Sequence, residues 1–159
     1  MTPTAPAELA ERLKALDAVL PPAPQPVGNY VPVVQAGSLV MTSGMIPLKE
    51  GKIAQEGALG ASGVSVEAGQ AAARVCVLNA LSALKAHLGS LEKIQRIVKL
   101  TGYVSSQPDF YQQPAVINGA SDTLVEYFGE RGKHARAAVG VAALPMNASV
   151  EVDLVVEVG

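Results

Sequence analysis

VEAGQAAARVCVLNALSALKAHLGSLEKIQRIVKLTGYVS, residues 66–105, changes its hydrophobic period once, and that change decides the fold. Through 66–88, Val66, Ala73, Val77, Leu81, Leu84 and Leu88 recur at helical spacing, and Gly89 stops the run. Through 94–105 the spacing drops to two. Val98, Leu100, Gly102 and Val104 share one side and Lys99, Thr101 and Tyr103 the other, as in a half-buried strand. Working outward, residues 114–128 predict a second helix, opened by Pro114, with Ile117, Ala120, Leu124 and Phe128 inward. Residues 135–143 (ARAAVGVAA) read as a strand of small residues. Residues 150–158 (VEVDLVVEV) alternate, with Val150, Val152, Leu154, Val156 and Val158 on one face. Upstream, YVPVVQ and LVMTSG flank an Ala36-Gly37-Ser38 turn, which predicts a hairpin between Val31 and Ser43. Residues 47–65 are glycine-rich without a sustained period and read as a long loop.

The resulting order is β-β-α-β-α-β-β, an α+β domain. Two helices cover one face of its sheet. The other face is assigned Ala138, Gly140, Ala142 and Val155, which are small or apolar where a solvated sheet would be more polar. A symmetric homo-oligomer is the simplest cover for it. Ahead of the domain, residues 6–20 predict a short amphipathic helix, with Pro6 in its first turn and Leu9, Leu13, Leu16 and Leu20 on one face. PPAPQP (21–26) can only be an extended connector. Residues 1–26 therefore read as an arm and 27–159 as a single domain.

Composition excludes several classes. The chain has 159 residues, 49% hydrophobic and only 16% charged, enough for one sizeable core and too apolar for disorder. Twelve basic residues against 14 acidic ones leave no positive excess to hold a phosphate backbone, so no nucleic-acid partner is expected. The single Cys76 lies in an apolar helix and reads as a buried thiol, not half of a disulfide or part of a metal cluster. No run reaches the ~18 apolar residues of a membrane span. The N-terminal stretch lacks the apolar core of a signal peptide, so the expected compartment is the cytoplasm.

Phosphate loops, HExxH helices, nucleophile elbows and Cys-His metal spacings are all absent from the sequence. GALGASG (57–63) follows no strand and is a poor dinucleotide turn. What stands out is polar residues on an apolar background. Arg136, near the start of a small-residue strand, either offers its fork to a ligand carboxylate or pairs with an internal acid such as Glu151. Glu151, between two inward valines, points to the opposite face, where it either positions a water or is simply solvated. Tyr30 either lids a pocket or packs. His87 suits the C-terminal end of its helix. His134 lies beside Arg136 without a defined role, and Cys76, Asn79 and Met45 suggest no chemistry alone.

GNYVPVVQAGSLVMTSGMIP (28–47) resembles the Gly-x-Tyr…Ser-Gly-x-Ile-Pro stretch of the RidA/YjgF family of reactive-intermediate deaminases. ARAAVGVAALPMNASVEVDLVVEV (135–158) resembles that family's Arg-x-x-Val…Leu-Pro…Val-Glu signature, and Asp109-Phe110 after VSS is also similar. The resemblance spans about residues 26–158. It implies a chorismate-mutase-like mixed sheet with two long helices on one face, a homotrimer, and a pocket at each subunit interface. It also implies cofactor-free, metal-free hydrolysis of enamines and 2-imino acids to 2-keto acids and ammonia. By the same resemblance Arg136 clamps the substrate carboxylate, Glu151 stands near the attacking water, and Tyr30, Ser43 and Gly44 line the pocket. The family asparagine falls on Asn118 or shifts to Ser121. The chain departs from the pattern at Met45 (commonly Gln), at Ala138 (Cys or Thr) and in the GERGKHA loop (129–135). With the arm, these departures mark a longer branch, and they keep open a second reading, a non-catalytic module that binds small carboxylates.

Overall fold

The computed structural model describes residues 2–159. Helix α1 (Pro6–Asp17) precedes the hairpin β1 (Val33–Ala36) and β2 (Leu39–Thr42). A two-residue hairpin follows, β3 (Leu48–Lys49) and β4 (Lys52–Ile53). Then come α2 (Val66–Leu88), β5 (Ile94–Ser105), α3 (Gln113–Phe128), β6 (Ala135–Val141) and β7 (Val150–Val158). The main sheet has the order β1-β2-β7-β5-β6, antiparallel except for the parallel β5–β6 edge pair. Helix α2 begins where the Ser65 hydroxyl accepts from the Ala68 amide at 3.2 Å. It ends at Gly89, whose φ of 82° a residue with a Cβ rarely adopts.

Both long helices pack on one face of this sheet. Leu81 and Leu84 of α2 and Ile117, Leu124 and Phe128 of α3 are fully buried, as are Ile97, Leu100, Val152 and Leu154 of the strands. At roughly 1.5–3 kcal/mol for each large side chain taken from water, this layer dominates the stability.

The structure alters several expectations. Residues 47–65 are not all loop. Glu50 and Gly51, with φ of 51° and 77°, close the small β3–β4 hairpin. In β5, Ile97 rather than Val98 faces the core, because pairing with β7 slips between Ile94 and Arg96 and again between Ile97 and Lys99. The third change reverses a face. Arg136 is in register with Leu100, and Ala138 and Gly140 with Gly102 and Val104, so these three project toward the helices. Ala142 lies beyond the end of β6. Val155 does lie on the open face, together with Val34, Leu39, Met41 and Val139, and with Thr101, Tyr103, Glu151 and Asp153 among them.

Helix α1 ends at Asp17, short of Leu20, and docks against α3. Leu9, Leu13 and Leu16 are buried there. The Arg12 guanidinium donates to the Val125 and Glu126 carbonyls in the last turn of α3 at 3.3 and 2.9 Å, the first of which also accepts the capping Gly129 amide. The connector then follows α2. Lys85 pairs with Asp17 at 2.8 Å, the Ser82 hydroxyl donates to the Pro21 carbonyl at 2.7 Å, and the Asn79 amide donates to the Ile46 and Leu48 carbonyls at 3.1 and 2.9 Å. Spaced by three, these side chains occupy one stripe of the helix. They tie down the end of α1, the connector and the 46–48 segment in turn.

Candidate functional site

A cavity of about 260 Å³ lies where the chain leaves β2 and passes β7. Tyr30, Ser43, Gly44 and Glu151, four of the residues the family resemblance assigns to a pocket, line it together. Local pairing fixes them. The Ser43 amide and hydroxyl donate to the Pro32 and Val31 carbonyls at 2.8 and 2.7 Å. Met45 and Val152 exchange backbone hydrogen bonds at 2.7 and 3.0 Å, which clamps the Ser43-Gly44 turn onto β7. Gly44 is required for space, not for its backbone: a Cβ there would land on the Glu151 carboxylate. Burial, and then the negative charge of Asp153, push the Glu151 pKa above the ordinary carboxylate range. Asp153 accepts from the Tyr103 hydroxyl at 2.9 Å. Burial and this bond push that phenol up to about 12.

Arg136 and Asn118 are elsewhere. From β6, Arg136 Nη1 donates to Asn118 Oδ1 at 2.8 Å and to Ser121 Oγ at 3.2 Å, both on α3. Both candidates for the family asparagine position therefore hold the arginine. Ser121 also meets His134 Nε2 at 2.9 Å, and His134 Nδ1 lies 2.6 Å from the Gly132 carbonyl. Since a carbonyl only accepts, Nδ1 carries a proton, and in the neutral ring Nε2 accepts from the Ser121 hydroxyl. Burial, outweighing the Gly132 bond, and the charge of Arg136 keep its pKa below the usual imidazole value. Among the described residues no carboxylate pairs with Arg136, which disposes of the internal pair with Glu151.

Arg136 projects from the helix side of the sheet and Glu151 from the open side, so a small molecule cannot touch both within one chain. The pocket at Glu151 and the cluster around Arg136 are therefore separate within the chain. The sequence names residues of both and gives Asn79 no chemistry of its own, whereas in the structure its amide holds one pocket wall at Ile46 and Leu48. A buried amide in an otherwise apolar helix stretch was its signal. Cys76 is fully buried, with its thiol pKa raised by burial and by Glu151, and supplies no nucleophile. Among the described residues no three His, Cys, Asp or Glu side chains gather as metal ligands, and no helix is long and apolar enough to cross a membrane.

A mixed five-stranded sheet with two long helices on one face, and a small acid-floored pocket against the sheet, is the chorismate-mutase-like architecture. Residues 10–158 match the model of the family described as "YjgF/chorismate mutase-like, putative endoribonuclease". The chain belongs to this YjgF/RidA family. It is 46% identical over 158 residues to Protein TCP17 of Trypanosoma cruzi, covering 99% of this chain and 98% of that one. It is 32% identical to a 2-iminobutanoate/2-iminopropanoate deaminase of Salmonella typhimurium, over 84% of this chain and 90% of the relative. A crystal structure of a protein of unknown function from Agrobacterium tumefaciens superposes with a TM-score of 0.86 at 48% identity, covering 95% of this chain and 92% of that one.

Proposed function

We propose that this protein is a cofactor-free cytoplasmic deaminase of 2-imino acids, acting at a pocket completed between copies of the chain in a homotrimer. The supporting observation is the pair of half-sites. One is a half-buried carboxylate in a small cavity; the other is an arginine with no acidic partner, on the opposite face of the same sheet. The exposed apolar residues Val34, Leu39, Met41 and Val139 favour a second copy as the cover of the open face.

In this mechanism Arg136, aimed by Asn118 and Ser121, binds the substrate carboxylate and fixes the imine carbon. Ionised Glu151 takes a proton from water as that water attacks this carbon. That proton passes to nitrogen and gives a carbinolamine; its hydroxyl proton then moves to nitrogen by way of Glu151 as the C–N bond breaks, so that ammonia leaves and the C=O of a 2-keto acid forms. The test is ammonia release from 2-iminopropanoate generated in situ. Wild type is expected to accelerate it and Arg136→Ala to lose the acceleration. Calorimetry with 2-ketobutyrate beside that assay separates catalysis from a carboxylate-binding module, which would bind without turnover.

The raised pKa of Glu151 sets a pH dependence. Activity needs the ionised form, so the acid limb of kcat/KM should lie above the ordinary carboxylate range. Asp153→Asn removes a negative charge beside it, which favours ionisation, so the limb should move to lower pH. A limb that stays in place would show that Glu151 is not the group titrating.

A further inference from the structure

The pocket takes four of its wall residues from the arm's connector and its continuation: Pro24, Gln25, Pro26 and Val27. Pro24 and Pro26 are half-buried, whereas Gln25 is exposed and Val27 is 94% exposed, so core packing does not account for the course of this segment. What brings them over the cavity is the stripe on α2, through Ser82 at Pro21 and Lys85 at Asp17. The same stripe, through Asn79, holds the opposite wall at Ile46. Prolines fix φ in advance, so this wall gives up little freedom when something packs on it. Apart from Glu151 and the Ser43-Gly44 turn, the lining is chiefly apolar: Pro24, Pro26, Val27, Met45, Ile46 and Met146.

We propose that the connector is a specificity wall, and that the protein prefers 2-imino acids with large apolar side chains, of the leucine or methionine type, over 2-iminopropanoate. This rests on the deaminase reading of the same pocket. A methyl side chain offers one carbon to these walls. A leucine side chain offers four, and each buried carbon adds transition-state binding without any further polar contact.

Imines would be generated in situ from leucine, methionine and alanine by an amino acid oxidase, and hydrolysis by the full chain followed as ammonia release. The leucine-derived imine should exceed the alanine-derived one in kcat/KM by roughly tenfold or more. In Pro24→Gly/Pro26→Gly, and independently in Ser82→Ala, which frees the connector at Pro21, that ratio should fall several-fold. Circular dichroism would establish that each variant is folded. Equal or reversed preference in wild type overturns the proposal, as does an unchanged ratio in both variants. Calorimetry with 4-methyl-2-oxopentanoate and pyruvate provides a separate readout. If no imine is hydrolysed faster but the larger keto acid binds at least tenfold more tightly, the deaminase reading fails and the specificity wall stands. If neither keto acid is preferred, the wall fails whatever the activity.

Discussion

Mixing two inactive variants should restore activity. Arg136→Ala removes a charged, oriented hydrogen-bond donor from one half-site, and Glu151→Gln removes the base from the other. Each alone is expected to lower kcat/KM by about 100-fold or more. Co-expressed with different tags and purified as mixed assemblies, they combine an intact Glu151 from one chain with an intact Arg136 from its neighbour. In a threefold ring each mixed assembly regains a single intact site. With the unmixed assemblies removed by the two tags, one site in three is intact, so about a third of wild-type activity should return. The prediction follows from the register of β6 and β7, which places the two residues on opposite faces of one sheet. If a single chain supplied both groups, mixing would restore nothing. If either variant alone kept full activity, the proposed mechanism would be wrong in that residue.

The second large effect concerns a residue with no functional group. Gly44→Ala places a methyl where the Glu151 carboxylate sits. Gly44 does not have a left-handed φ, so alanine causes no backbone strain, and the obstruction is the far end of a flexible side chain that can rotate away. The fold should survive with a thermal midpoint within a few degrees of wild type. Activity should drop by about 100-fold, close to the loss in Glu151→Gln. The double variant Gly44→Ala/Glu151→Gln should then be no worse than Glu151→Gln alone, because both changes remove the same group. Additive losses would show that Gly44 acts by some route other than Glu151.

The fold was legible wherever one period ran unbroken. The bounds of α2 and of β7 follow from spacing alone, because a helix packed on one side and a strand under two helices each impose a strict burial pattern. Legibility ended where a long-range register decides. Two slips against β7 exchanged Val98 for Ile97, and nothing local to IQRIV announces them. The face of Ala138 and Gly140 depended on how β6 pairs with β5, which parity along a single strand cannot give. The β3–β4 hairpin was missed because two-residue strands are too short to alternate, although Glu50-Gly51 is a plausible turn pair. At the site, Tyr30, Ser43, Gly44 and Glu151 were legible as a group. The contribution of the connector was not, because PPAPQP specifies only extension, and where it lies is set by Ser82, 61 residues away from Pro21.

The contacts that seat α1 also constrain the order of events during synthesis. Arg12 meets the Glu126 carbonyl 114 residues later in the chain, and Asp17 meets Lys85 after 68. At roughly 5–20 residues per second, the apolar stripe of Leu9, Leu13 and Leu16 emerges from the ribosome several seconds or more before α3 exists to cover it. The connector stays attached to an undocked helix through that interval. The pocket wall is thus among the earlier segments translated and among the last to reach its place, and its assembly reports that both long helices have already formed.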